Sequence, residues 1–84
     1  MLFIKRYHII MNMIEKKYLT EREREIVMLI LSGKNKRKIA EVLSLSVSTI
    51  KTNVENIYRK FDVHNKVELI VFVIKNNIID IDDT

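Results

Sequence analysis

The stretch from Lys34 to Lys60 constrains the fold of this chain more than any other part of it. Apolar residues recur there at helical spacing, first as Ile39, Ala40 and Leu43, then as Ile50, Val54, Ile57 and Phe61. Only Ser44-Leu45-Ser46 separates the two patterns. A connection that short joins two helices at a steep angle around a shared buried corner. The spacing therefore predicts a helix-turn-helix that buries Ile39, Leu43, Leu45 and Ile50. Ala40 falls where the two helices come closest, and a larger side chain there would push them apart.

The remainder leaves little room for anything but helices. The chain holds one Gly and no Pro in 84 residues, whereas sheet-rich chains need turn residues at each reversal. Its length suits one small domain that buries roughly two thirds or less of its unfolded surface. A receiver, ligand-sensing or catalytic domain would not fit beside it. No Cys is present, which excludes disulfides and thiolate metal sites and agrees with a cytoplasmic setting. Charge is unevenly spread: residues 1–18 carry +3, 19–33 carry −1, 34–60 carry +5 and 61–84 carry −3. A basic middle beside an acidic end describes one positive face.

Residues 1–18 form an N-terminal extension that admits two readings. Phe3, Tyr7, Ile10 and Ile14 share a stripe, which predicts an additional amphipathic helix. In the other, Met11 or Met13 is the true start and the residues before it are not native. Lys5, Arg6 and Asn12 interrupt the apolar residues, so no run nears the roughly 20 that a membrane span needs. The order of charge and apolar residues does not match a signal peptide either.

Residues 19–76 read as the domain proper. Thr20-Glu21-Arg22-Glu23 is a capping box that opens a helix burying Ile26, Leu29 and Ile30 and ending at Ser32-Gly33. Asn35 caps the next helix, which runs to about Leu43, and Ser46 caps a third, which runs to about Phe61 and stops at Asp62. Asn65 and Glu68 make a second box before a last helix carrying Val67, Leu69, Ile70, Val71, Phe72, Val73 and Ile74. Those residues point all around the helix axis, and a helix apolar all round is normally buried all round. We expect a second copy to cover what the core leaves, with Val67, Ile70, Val71 and Ile74 at a dimer interface. The competing cover is the N-terminal segment. Residues 77–84 are an acidic tail.

The third helix shows its other side to solvent. Opposite Ile50, Val54, Ile57 and Phe61 run Ser48, Thr52, Glu55 and Arg59, flanked by Lys51 and Thr49. Short polar groups beside a lysine allow close entry into a DNA major groove. There Lys51 can donate to guanine or to phosphate, Thr52 can touch a thymine methyl and Glu55 can accept from cytosine. Ser48, Lys51, Thr52 and Glu55 are the candidate base contacts; Asn35, Lys36, Arg37, Thr49 and Arg59 are the candidate phosphate contacts. Each must be weighed against a plainer role, since a Lys or Arg on a small helical domain is ordinarily a solvated charge.

Taken together, these residues resemble the LuxR-type (NarL/FixJ) helix-turn-helix family from about Leu19 to Phe72. The resemblance is carried by Leu19-Thr20-Glu21-Arg22-Glu23-Arg24-Glu25-Ile26, Gly33, Lys36-Arg37-Lys38-Ile39-Ala40, Leu43-Ser44-Leu45-Ser46, Thr49-Ile50-Lys51, Asn56-Ile57-Tyr58-Arg59-Lys60-Phe61 and Val63. It implies an all-α, four-helix DNA-binding domain whose third helix reads the major groove through Lys51, Thr52 and Glu55 and whose fourth pairs protomers. It also implies the stand-alone form, similar to small spore-development regulators. The chain departs from the family at Lys38, where Glu is usual and a local charge pair is lost. It departs again at Asn53, where His is frequent, at Asp62, where Gly is common, and at Lys66, where Arg is frequent.

The expected function is a sequence-specific transcriptional regulator that binds double-stranded DNA as a homodimer, with RNA polymerase a candidate further partner and no membrane partner. The alternative is a helical protein-interaction module whose DNA binding is weak or lost, supported by Glu55 on the outer stripe and by the acidic tail. An enzyme is a remote third case, and no metal or cofactor is expected. His8 and His64 have no ligand-spaced partners, and Met11, Met13 and Met28 read as core filler or start codons.

Overall fold

The structure is a computed structural model in which residues 19–76 are described. They form α1 (Glu21–Leu31), α2 (Lys36–Leu43), α3 (Val47–Phe61) and α4 (Lys66–Lys75). The stripe from Phe3 to Ile14 and the acidic tail expected for residues 77–84 lie outside the described residues.

A short polar side chain starts every helix. The Glu23 amide donates to Thr20 Oγ1 at 3.0 Å while the Thr20 amide donates to Glu23 Oε1 at 3.0 Å, completing the capping box of α1. Asn35 accepts from the Lys38 amide at 2.9 Å, Ser46 from Thr49 at 3.0 Å and Asn65 from Glu68 at 2.9 Å. Each bond satisfies an amide with no partner inside its own helix and contributes about 1 kcal/mol. The box expected at α4 is only half formed. The Glu68 carboxylate accepts from the His64 amide at 2.9 Å, one residue upstream of the cap, and its Oε1 lies 3.2 Å from His64 Nδ1.

Helices α1, α2 and α3 end alike, on a residue of positive φ: Gly33 at 91°, Ser44 at 56° and Asp62 at 55°. In each, the following amide reaches back five residues, Lys34 to Leu29 at 3.1 Å, Leu45 to Ala40 at 2.9 Å and Val63 to Tyr58 at 3.0 Å. The left-handed residue turns the chain sharply, and Leu45 and Val63 then fall back against the core. This is how three residues suffice to turn α2 into α3.

Helices α1 and α3 each pack on all three others, whereas α2 and α4 do not meet. Ile26, Val27, Ile39, Ile50, Ile57 and Leu69 are wholly buried, and Leu19, Ile30, Ala40, Val54, Phe61 and Val73 nearly so. A large aliphatic side chain buried this completely contributes roughly 1.5–3 kcal/mol, which supplies most of what holds so small a domain together. The expected buried stripe of α3 is intact. Leu43 and Leu45 pack at the margin of the core, and α1 buries Val27 in place of Leu29, which is half-buried. Phe61 and Phe72 stack at 5.1 Å between ring centres and join the end of α3 to α4.

Candidate nucleic-acid interface

The apolar stripe of α3 fixes the opposite face by elimination. With Ile50, Val54 and Ile57 turned inward, Ser48, Lys51, Thr52 and Glu55 are all exposed on a helix of 15 residues. Their side chains have no partner among the described residues. The four are therefore presented from rigid backbone with their hydrogen-bonding capacity unused. Two turns of backbone separate Ser48 from Glu55, a span of about 10 Å along the axis.

Neighbouring polar residues are partly committed to building the helices. Asn35 uses its carbonyl oxygen as the α2 cap, so only its amide nitrogen remains for an outside acceptor. Thr49 Oγ1 lies 2.8 Å from Ser46 Oγ. Asn53 is half-buried and donates to the Thr49 carbonyl at 2.9 Å, which ties it to its own helix. Arg59 donates to Asn56 at 2.9 Å. Each of Asn35, Thr49 and Arg59 is exposed, and each would need to share or exchange its bond to reach a phosphate.

The basic groups from Lys34 to Lys60 divide in the same way. Lys60 is turned away from the exposed row and donates to Glu23 at 2.6 Å across 37 residues of sequence. Burial pushes the Glu23 carboxyl up, but the Lys60 ammonium and the Thr20 amide and hydroxyl outweigh it and hold the group below its ordinary value. Lys38 pairs with Glu41 at 2.8 Å, so the chain makes a local ion pair where a lost one was expected. Lys36, Arg37 and Lys51 have no ion-pair partner among the described residues. The positive face is smaller than the charge count suggests, and it lies around the start of α2 and the outer side of α3.

Two features escaped the reading from sequence. Lys60 belongs to the basic stretch, and nothing in its local sequence marks Glu23 as its partner. Tyr58 sits seven residues beyond Lys51, nearly two full turns, and so lies close to the same line along α3. It is half-buried, and its hydroxyl has no partner among the described residues.

Residues 17–73 match the family model described as bacterial regulatory proteins, luxR family. That is more than half of the chain. The chain belongs to the LuxR family. Within it, the chain is 35% identical over 69 residues to the transcriptional regulatory protein LiaR of Bacillus subtilis, covering 82% of this chain and 33% of LiaR. It is 36% identical over 61 residues to the response regulator protein VraR of Staphylococcus aureus, covering 73% of this chain and 29% of VraR. VraR of Staphylococcus epidermidis matches over the same shares. The chain thus spans about a third of the length of these LuxR-family relatives. The four-helix, all-α architecture is that expected of a LuxR-type helix-turn-helix domain. No described helix is long and apolar enough to cross a membrane.

Proposed function

We propose that this chain is a sequence-specific DNA-binding transcriptional regulator that acts as a homodimer, with α3 as its major-groove reading helix. The observation that carries this reading is the exposed row of Ser48, Lys51, Thr52 and Glu55 on a helix whose other face is buried. Lys51 donates to guanine O6/N7, Thr52 and Ser48 contact neighbouring base edges, and Glu55 accepts from cytosine N4. Lys36, Arg37 and the first amides of α2 hold one phosphate strand, with Asn35, Thr49 and Arg59 beside them. Kinship with proteins named as transcriptional and response regulators supports the same conclusion.

The pairing surface is α4. Val67, Val71 and Ile74 are 69%, 55% and 55% exposed and recur at i, i+4 and i+7 along one line. Val67 and Val71 also line an open groove of about 520 Å³ together with Val63 and Phe72. Ile70 is half-buried against the core and has less surface left to give a partner. A two-fold dimer built on this stripe would present two copies of α3 to a palindromic site, with half-sites set by the helical repeat of DNA.

Selecting bound fragments from a random duplex pool tests the reading. A regulator enriches a two-fold symmetric site. Glu55 favours a second reading, a protein-interaction module, because an unpaired carboxylate is repelled by phosphates unless it reads a base. That module would enrich no site.

A further inference from the structure

Helices α2 and α4 do not meet, and the gap between their first turns is a cleft of about 130 Å³ over α3. Its floor is Ile30, Ile39 and Val54. Its rim is Lys34, Asn35, Lys36, Tyr58 and Lys66, and no carboxylate lines it. The three ammonium groups come from three separate segments: the α1–α2 loop, the start of α2 and the start of α4. Lys36 and Lys66 have no ion-pair partner among the described residues, while Lys34 reaches Ser32 Oγ only at 3.4 Å. Lys36 and Lys66 are also the first residues of their helices, so the cleft is lined at the positive dipole ends of both. The Tyr58 hydroxyl has no partner among the described residues and is protonated at neutral pH, so it is available as a donor. Burial moves the phenol further from ionising.

We propose that this cleft is a seat for a DNA backbone phosphate beyond the reading row, clamped by Lys34, Lys36, Lys66 and the Tyr58 hydroxyl. The proposal rests on the DNA-binding reading above and adds a contact set to it. Its position follows from α3 alone. Tyr58 lies close to the line of Lys51 and about 10 Å further along the axis, at a rise of about 1.5 Å per residue. A major groove is about 12 Å wide, so a helix with Lys51 at the base edges brings Tyr58 toward the bordering strand. There a site rich in donors and free of carboxylates meets a phosphodiester. The seat would fix how far α3 penetrates, and it reads no base.

The test is the salt dependence of duplex binding for the full chain with Lys34→Gln and Lys66→Gln combined, alongside Tyr58→Phe. The slope of log affinity against log salt should shrink in the double variant by about 1 for a lost phosphate contact, with the preferred sequence unchanged. Tyr58→Phe should weaken binding about ten- to a hundred-fold, as loss of one hydrogen bond to a charged acceptor, without altering the slope. Arg22→Gln, on α1 and part of neither proposed surface, serves as the charge control and should leave the slope intact. Light scattering checks that each variant has the same protomer count. An unchanged slope in the double variant overturns the clamp while leaving the DNA reading standing, and so does an equal loss in the Arg22 control. Failure of the unaltered chain to bind any duplex overturns both.

Discussion

Single residues carry both the strain and the specificity of this domain. Ser44 and Asp62 occupy the left-handed region that favours glycine, where an L side chain costs on the order of 1–2 kcal/mol. Asp62→Gly should therefore raise stability by about 0.5–1 kcal/mol after the extra freedom of glycine in the unfolded chain is subtracted. Denaturant midpoints at constant slope would record it. Gly33→Ala should do the reverse, at a cost of about 1 kcal/mol from backbone strain. Nothing lies within 4 Å of a Cβ built there, so crowding plays no part. A clearly larger loss would mean that the open space around Gly33 is filled in solution. On the outer face, Lys51→Ala should weaken specific binding by about 1–3 kcal/mol and relax preference at one base position, while leaving the melting temperature unchanged. Equal loss on all sequences would reassign Lys51 to the phosphates.

At the scale of elements, the helices divide the work between holding and presenting. Helix α3 packs on all three others, and its two sides differ completely in chemistry, which is what lets it face outward without moving. Helix α4 is different. It buries Leu69 and Val73, but Val67, Val71 and Ile74 form an apolar line left in water. Val67→Lys with Val71→Lys should leave the monomer fold intact, because neither side chain reaches the core, and should shift sedimentation from dimer to monomer. A monomer should then lose most of its affinity for a two-fold site and keep its salt-dependent affinity for single half-sites. Unfolding of the double variant would instead place those valines in the domain's own packing. The caps, bounds and buried stripes of these helices were nearly all legible in sequence, because a cap acts over three residues and a stripe repeats every turn. The half-formed box of α4 was not, since Glu68 has two amides within reach and only the path of the loop selects His64.

The whole molecule is tied together by contacts that no local pattern announces. Glu23 and Lys60 join the start of α1 to the end of α3 over 37 residues. Because the Glu23 carboxyl is held below its ordinary 4.5, its contribution is complete above that value and is lost as pH falls through the lowered one. Acid unfolding should thus begin below about pH 4.5, and Glu23→Gln should flatten the fall of stability with pH on that side. An unchanged acid limb in the variant would remove the pair from the account. Glu41 and Glu68 are lowered too, by Lys38 and by the His64 amide and ring, and act in the same direction from exposed positions. The start and end of each helix, its apolar face and the residues on the outer side of α3 are all readable from the order of residues. Those are properties of spacing along one chain, set by hydrogen bonds and side-chain periods within a few residues. Which positive charges remain free depends instead on how the helices pack. Lys60 is committed to Glu23, and Lys34, Lys36 and Lys66 converge on one cleft because α2 and α4 are held apart over α3. Charge follows position in space, and position across 30 residues is set by how the core packs.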